Sequence, residues 1–389
     1  MSKRLEFPKG FYWGAAAASF QVEGGIYNTD WSEGGRQGKV PLADSGPDHY
    51  NRYEEDFDLA KSLGHNAHRM SIEWARIEPR EGEFDEKEIE HYRKVIQALR
   101  VRNLEPFITL WHFTLPSWLS EKGGLENKKF PEYFARYCAY VTKNLHEEYV
   151  HWATMNEPNV MTSIGWIRGD WAPWKRKQFL KIPFLLKNLA EAHIKAYKEI
   201  KQNHLLSEVG IVKQNMFFHS DKWPWNIFLK FFFKWFWNRY FLNKIKNHVD
   251  SIGLNYYKHW HFGHKRTKRE VNDMGWEIYP EGIYYTLKEL QRYEKPVFVA
   301  EAGIADRDDK YRGQYIKDLV YWIHKAIEDG VPVKGYMYWS LLDNFEWALG
   351  YKERFGLIEI DYETKERKVR GSAYEYKKIC EENALIIED

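Results

Sequence analysis

The sequence predicts an α/β fold, a closed (β/α)8 TIM barrel, from three observations. Apolar runs of strand length alternate along the whole chain with stretches of helical periodicity. Short turns separate them, which favours parallel strands joined by helical crossovers. There are eight strand–helix units, the number that closes a barrel, and a chain of 389 residues fits a single such domain over 1–389.

The predicted strands are short apolar runs, at residues 12–17, 67–72, 106–111, 151–156, 209–215, 251–256, 297–301 and 335–340. The predicted helices carry apolar residues three and four positions apart, near 53–63, 86–102, 131–148, 188–203, 226–247, 281–293, 312–329 and 372–382. Polar or aromatic side chains stand at the C-terminal ends of these strands, where barrels place their functional residues. They are Gln21, Arg69, His112, Asn156, Asn255, Glu301 and Trp339.

Two predicted strands end at a glutamate, Glu157 and Glu301. A carboxylate at the end of a buried strand costs free energy unless it is used. Cleavage of a glycosidic bond needs two carboxyls across a cleft, because one protonates the leaving oxygen while the other attacks or stabilises the sugar carbon. Taken singly, each glutamate could equally close its strand in a salt bridge.

Composition narrows the class of function. The net charge of +2 gives no electrostatic signature of nucleic-acid binding. Aromatic residues make up 17% of the chain, which fits stacking on sugar rings as well as an ordinary core. Cys138 and Cys380 lie in helix-periodic stretches and indicate neither a disulfide framework nor a metal site. No signal-like start and no long apolar run is present, so we expect a cytoplasmic protein.

Several motifs resemble those of the family 1 glycoside hydrolases, the retaining β-glucosidase and β-galactosidase type of β-glycosidase, and most of all archaeal members. The matching blocks occur in order over essentially the whole chain: 11–24, 69–74, 111–113, 154–158, 255–257, 274–276 and 338–347. The Asn-Glu-Pro block at 156–158 and the Asp-Asn-Phe-Glu-Trp block at 343–347 are the most specific. The resemblance implies a TIM barrel and a retaining exo-β-glycosidase that acts on neutral β-D-glycosides.

The resemblance also implies roles for individual residues. Glu157 resembles the general acid/base and Glu301 the nucleophile, with carboxyls roughly 5–5.5 Å apart. Arg69 would keep Glu301 ionised and Tyr257 would hydrogen-bond it. The substrate-binding residues would be Gln21, His112, Asn156, Tyr257, Trp339, Glu346 and Trp347, and the supporting residues Arg69, Asn255, Trp276 and Phe355. Asn156 would contact the sugar 2-hydroxyl, where a bond strengthens in the transition state.

The chain departs from the family pattern in two places. Ala302 stands where most members have Asn after the nucleophile, which puts the hydrogen bonding beside Glu301 in doubt. Asn159 stands where many bacterial members have an aromatic platform, so we expect Trp276 or Trp166 to stack on the aglycone. Glu346, Glu353 and Phe355 replace the serine, lysine and tyrosine of the 6-phosphoglycosidase branch, and their carboxylates would repel a sugar phosphate.

Two alternatives to hydrolysis of glucosides or galactosides stay open. The protein could be a catalytically silent sugar-binding relative, or, as an enzyme, a β-mannosidase. We expect no cofactor and no metal. The histidine-rich segment 259–264 has no neighbouring carboxylate or cysteine in the sequence that could complete a metal site, and it is interpreted as a surface loop.

The segment 223–241 is apolar over a wider face than a barrel-covering helix requires. One interpretation is a helix packed under loops or in a homo-oligomer interface. The other is a peripheral membrane contact, with interfacial tryptophans and lysines that reach the headgroups. Because the segment follows the fifth predicted strand, we expect it on the barrel exterior, away from Glu157 and Glu301.

Overall fold

The computed structural model describes residues 3–145, 151–264 and 269–387. Eight strands, all parallel to their neighbours, close into a barrel in which each strand pairs with the next along the chain and the last pairs with the first. This confirms the predicted (β/α)8 barrel.

The strands of the described residues are β1 Lys3–Glu6, β2 Tyr12–Ala16, β3 Ala67–Ser71, β4 Glu105–Trp111, β5 His151–Asn156, β6 Glu208–Gln214, β7 Phe217–Ser220, β8 Ile252–Asn255, β9 His259–Phe262, β10 Val297–Ala302, β11 Val333–Trp339, β12 Ile358–Ile360, β13 Arg367–Val369 and β14 Ala384–Ile387. The barrel consists of β2, β3, β4, β5, β6, β8, β10 and β11. All eight lie within two residues of their predicted bounds, because each is buried almost throughout and carries a continuous apolar signal.

The α-helices of the described residues are α1 Ser19–Val22, α2 Asp30–Arg36, α3 His49–Ser62, α4 Trp74–Ile77, α5 Glu86–Val101, α6 Ser117–Glu121, α7 Phe130–Asn144, α8 Pro158–Ser163, α9 Ile182–Asn203, α10 Pro224–Phe233, α11 Tyr240–Ile245, α12 Gly282–Leu290, α13 Arg312–Glu328 and α14 Gly371–Glu382. A π-helical turn, Lys234–Arg239, joins α10 to α11. Residues 146–148 of the predicted helix 131–148 lie outside the described residues.

The long helices cover the barrel with amphipathic faces. In α5, for example, Ile89, Tyr92, Val95, Ile96 and Leu99 are buried, and Asp85 caps the helix by accepting from the Lys87 amide at 2.8 Å. Cys138 of α7 and Cys380 of α14 are buried free thiols in this layer, as the sequence indicated. No helix in the described part of the chain is both long and apolar enough to cross a bilayer.

Among the described residues, three two-stranded sheets lie outside the barrel, and the sequence analysis predicted none of them. β1 pairs with β14 and β12 with β13, both antiparallel. The third pairs β7 with β9 in parallel. Since β7 follows β6 and β9 follows β8 by a few residues, this sheet continues from the C-terminal ends of two neighbouring barrel strands. It therefore rises beyond the end of the barrel where functional residues are expected.

Candidate active site

Glu157 and Glu301 lie at the C-terminal end of the barrel, Glu157 directly after β5 and Glu301 on β10. Both are buried, with 6% and 3% of their surface exposed. Glu301 is paired in register with Asn255 of the adjacent strand β8. Glu157 follows β5 in a left-handed conformation, φ +44°, and begins the short helix α8. A left-handed glutamate is strained, and residues of this kind concentrate at functional sites.

One hydrogen-bond network joins the two carboxyls. Arg69 of β3 donates to Glu301 and, through its other terminal nitrogen, to Asn156 Oδ1 at 2.9 Å. Asn255 Nδ2 then bridges Asn156 Oδ1, at 3.2 Å, and Glu157 Oε1, at 2.7 Å. The predicted supporting residues Arg69 and Asn255 are therefore the groups that hold the two glutamates in one arrangement.

The two carboxyls have different partners. Glu301 accepts from the Arg69 guanidinium and from the Tyr257 hydroxyl at 2.6 Å. Burial, and after it the charge of Glu301, raises the pKa of Glu157 to about 8, against the opposing Asn255 hydrogen bond and the more distant Arg69 and Lys213. Glu157 is consequently protonated at neutral pH in this arrangement.

Ala302 takes no part in holding Glu301. Neighbouring strand residues point to opposite sides, and the Ala302 methyl is fully buried in the core between barrel and helices. Arg69 and Tyr257 supply the hydrogen bonds of the carboxylate. The departure from the usual Asn therefore leaves the contacts of Glu301 intact.

Three of the predicted sugar-binding residues have a buried polar atom with no hydrogen-bond partner among the described residues. They are Gln21 Oε1, His112 Nδ1 and Glu346 Oε2. The Gln21 amide is fixed by donation to the Phe345 carbonyl at 2.8 Å, so its oxygen is left to accept. Buried polar groups are normally satisfied, and a ligand with several hydroxyls would satisfy this set.

His112 is held as a neutral ring. Burial, with a smaller effect of Arg69, lowers its pKa well below the usual value. Asn156 Nδ2 lies 3.3 Å from His112 Nε2 and has only hydrogens to offer, so Nε2 accepts and Nδ1 carries the proton. The His112 ring stacks nearly parallel to Trp339 and Trp347, with centroids 6.0 Å away in each case.

Trp347 belongs to an interlocked aromatic wall. Its ring lies 4.8 Å from Trp31, 5.2 Å from Phe113 and 5.4 Å from Trp171. The loop that carries Glu346 and Trp347 is anchored by Asp343, which accepts two bonds of 2.9 Å from Arg370. Such packing fixes the position of the ring before any ligand binds.

Trp276 and Phe355 flank Tyr257. The Trp276 ring lies 6.1 Å from that of Tyr257 and 4.8 Å from the Lys258 ammonium, and the Phe355 ring lies 6.3 Å from Tyr257. Trp166, the other expected aglycone platform, is wrong for that role. It is buried, and its indole nitrogen donates to Glu126 at 2.7 Å.

Lys213 of β6 is a charged neighbour that the sequence analysis missed. Its ammonium is buried and donates to the carbonyls of Gln214 at 2.7 Å and Trp237 at 2.6 Å. Burial lowers its pKa to about 7, and its charge acts on Glu157. The sequence signal that could have identified this residue is a lysine inside the apolar run 209–215, where a buried charge is unusual.

The expectation that segment 223–241 lies away from Glu157 is wrong. Asn159, two residues after Glu157, donates to the Trp237 carbonyl at 3.2 Å. The Trp237 indole donates to Gln214 at the end of β6, at 3.0 Å. The segment is attached at the mouth of the barrel because these contacts fix its π-helical turn there.

The interpretation of the histidine-rich segment 259–264 as a surface loop is wrong for residues 259–262, which form strand β9. His259 contacts His219 of β7 and pairs with Glu277 at 2.8 Å, a carboxylate neighbour that the sequence did not indicate. Within the described ranges no group of three His, Cys, Asp or Glu side chains is arranged to hold a metal ion.

Comparison with known proteins agrees with this geometry. The sequence profile of Glycosyl hydrolase family 1 matches residues 3–222 and 235–385. Beta-glucosidase A of Thermotoga maritima is 34% identical, over 98% of this chain and 99% of the relative. The structure of a beta-glycosidase from Pyrococcus horikoshii is 34% identical with a TM-score of 0.91, over 100% of this chain and 97% of that one. A beta-glucosidase from Thermotoga maritima in complex with glucoimidazole, 32% identical, also has a TM-score of 0.91, over 97% and 99%. The chain therefore belongs to glycosyl hydrolase family 1, as the motifs predicted, and is a β-glycosidase.

Proposed function

We propose that the protein hydrolyses neutral β-D-glycosides by double displacement, with Glu301 as the nucleophile and Glu157 as the general acid and base. The observation that carries the proposal is the division of labour between two linked carboxyls. Glu157 has its pKa raised to about 8, while Glu301 is bonded by an arginine and a tyrosine. A protonated carboxyl facing a paired carboxylate is what a retaining glycosidase requires.

In the first step, Glu301 attacks the anomeric carbon as the glycosidic C–O bond breaks. Glu157 delivers its proton to the departing oxygen, so the aglycone leaves as an alcohol. The sugar is then held as an ester of Glu301. Asn156, fixed by Arg69 and Asn255, presents its amide where a bond to the 2-hydroxyl would strengthen as positive charge develops.

In the second step, Glu157 acts as a base. Esterification removes the charge of Glu301, one of the two main causes that raise the pKa of Glu157. The pKa falls, and Glu157 accepts a proton from a water molecule that attacks the same anomeric carbon as the bond from that carbon to the Glu301 oxygen breaks, which releases Glu301 as a carboxylate. Two inversions leave the product in the β configuration.

The remaining predicted residues form the sugar subsite. Gln21, His112 and Glu346 bind hydroxyls through their unpaired atoms, Trp339 provides the stacking surface, and Trp347 closes the wall. Burial and the charges of Glu301, Glu157 and Glu353 raise the pKa of Glu346 to about 8. Glu353, which acts electrostatically on Glu346, is the second carboxyl that would disfavour a sugar phosphate.

The partners in this proposal are a small neutral glycoside and, through 223–241, a membrane surface, in a cytoplasmic enzyme that needs no cofactor or metal. Glucosides, galactosides and mannosides all fit the subsite as a class. A panel of aryl β-glycosides that includes these three and a 6-phosphoglucoside, ranked by kcat/KM, orders them. If the 6-phosphoglucoside is cleaved as well as the plain glucoside, Glu353 does not exclude sugar phosphates.

Glu301→Gly tests the nucleophile. The variant should lose hydrolysis, because no covalent ester can form, and added azide should restore turnover by attacking from the vacated side. The product should be an α-glycosyl azide from a β-glycoside. Recovery of the β-azide, or a wild-type protein that hydrolyses no member of the panel, would favour a different nucleophile or the silent sugar-binding alternative.

A further inference from the structure

Eight large aromatic side chains form a contiguous exposed surface on α10 and its neighbours, the aromatic patch: Trp223, Trp225, Phe228, Phe231, Phe232, Phe233, Trp235 and, on β9, Trp260. Their exposed fractions run from 37% to 67%. No residue of α10 is buried. A helix that is apolar on most sides and exposed on most sides loses free energy in water, so a partner outside the described chain is expected to cover it.

The helix that carries most of the patch is not included in the match to the family profile. The family profile matches residues 3–222 and resumes at 235, which leaves out α10 entirely. Two ring pairs, Trp225 with Phe228 and Phe228 with Phe232, stack along one side of the helix at 5.2 and 6.3 Å, in contact with each other rather than with the core. The helix therefore lies outside the part of the chain that the family profile describes.

The charged side chains of the segment that carries most of the patch are all positive, and two of them, Lys234 and Arg239, pair with Glu289. Asp221, just before this segment, hydrogen-bonds the start of α10. Between residues 222 and 249 the sequence has no Asp or Glu, and its cations are Lys222, Lys230, Lys234, Arg239, Lys244 and Lys246. The Lys230 ammonium lies 4.7 Å from the Phe231 ring, so its stem runs along the aromatic surface. A second copy of the chain would bring the same positive charge to a twofold interface, whereas an anionic bilayer attracts it.

The patch lies at the same end of the barrel as the active site. α10 packs on the β7–β9 sheet, with Phe233 5.4 Å from Phe262, and that sheet continues beyond the C-terminal barrel end. Trp237, next to the patch, is bonded to Asn159 and Lys213 beside Glu157. β9 is also close to the catalytic centre in sequence, since Tyr257, two residues before the strand begins, donates a hydrogen bond to Glu301.

We infer that the aromatic patch binds the surface of an anionic lipid bilayer and holds the barrel mouth next to it, so that the enzyme takes β-glycosides with a lipid aglycone. Trp and Phe rings enter the headgroup region and lysines contact the lipid charges, which gives reversible attachment. The substrate class, unlike the attachment, rests on the proposed function.

The test of attachment is sedimentation of the full chain with vesicles of equal parts phosphatidylcholine and phosphatidylglycerol. The variant Trp225→Ser/Phe228→Ser/Phe231→Ser removes three of the most exposed rings, and it spares Phe236, which packs against the core. Loss of that apolar area should weaken binding by at least about 10-fold. The matched control, Val101→Ser/Leu205→Ser/Leu206→Ser, removes even more exposed apolar groups from the last residue of α5 and from the turn before β6, at the opposite end of the barrel, and should bind as the wild type does.

Two substrates test the inferred substrate class and the proposed function independently of each other. A long-chain alkyl β-glucoside embedded in the vesicles should be cleaved about 10-fold more slowly by the aromatic variant, while a water-soluble aryl β-glucoside should be cleaved at the wild-type rate. Equal sedimentation of variant and wild type would overturn the inference. So would self-association of the wild type without vesicles that the aromatic variant abolishes, because that outcome assigns the patch to a second copy. A wild type that sediments but cleaves neither substrate would overturn the proposed function and leave the attachment standing.

Discussion

The catalytic centre and the aromatic patch lie at the same end of the barrel and differ in where their partners come from. In the centre, Arg69, Asn255 and Tyr257 satisfy the two glutamates from within the chain, and less than a tenth of either glutamate is exposed. In the patch, rings such as Phe231 remain 61% exposed. The first region is preorganised for chemistry, and the second is built for an external surface. Changes in one should leave the properties of the other intact.

Glu157→Gln should have the largest effect. The amide cannot donate a proton of the required acidity, so kcat/KM for alkyl glycosides should fall roughly 10²–10⁴-fold. Dinitrophenyl glycosides need little protonation and should still form the ester, with a burst of dinitrophenolate. Equal losses for both substrates would remove Glu157 from the acid role, and a change in vesicle binding would break the separation of the two regions.

Asp343→Ala, a change near the catalytic centre, should lower the unfolding free energy much more than the serine variant of the patch does. Removing this carboxylate leaves the buried Arg370 guanidinium with only the half-exposed Glu359 carboxylate, at 4.0 Å, as an ion-pair partner, which costs about 3–5 kcal/mol of unfolding free energy. KM should rise as well, because the loop that carries Glu346 and Trp347 loses its anchor. The triple serine variant of the patch, whose rings are exposed, should unfold within about 0.5 kcal/mol per site of the wild type in urea. Comparable destabilisation by both would mean that the patch is part of the core.

The pH profile reports the electrostatics of the centre. Since burial and Glu301 raise the pKa of Glu157 to about 8, and the acid form is the active one, kcat/KM should be sustained through pH 7 and fall as pH rises through about 8. In Glu157→Gln, measured on dinitrophenyl glycosides, the alkaline fall should disappear. An alkaline limb that persists in this variant would assign it to another group.

The sequence predicted the barrel well because its signal is local and repeated. Every barrel strand carries its own apolar run, as 297–301 does for the observed Val297–Ala302. Residues at strand ends were also predictable, since the fold brings these ends together. The roles of Glu157 and Glu301 stay predictions.

What the sequence did not reveal depends on contacts between distant residues. β7 and β9 are short and half exposed, and their pairing exists only because β6 and β8 are neighbours in the barrel. A helix near 226–247 was predicted, but its position depends on contacts with residues distant in the sequence. One of them is made by the Trp237 carbonyl, which accepts from Asn159 and Lys213. The burial of Trp166 likewise follows from its bond to Glu126, forty positions away.

Lys213→Met should have the smallest effect, and it probes the junction between the two regions. The lysine lies between Glu157 and the Trp237 carbonyl, and its charge lowers the pKa of Glu157. Burial reduces its own pKa to about 7, so near pH 8 only a minority of the ammonium remains charged. Removing it should therefore move the alkaline limb upward by less than about one pH unit. Vesicle binding should stay near the wild-type level, because α10 keeps its packing on β7 and β9. A loss of vesicle binding with an unchanged pH profile would contradict this expectation. It would mean that the Lys213 ammonium positions the aromatic patch and does not shift the pKa of Glu157.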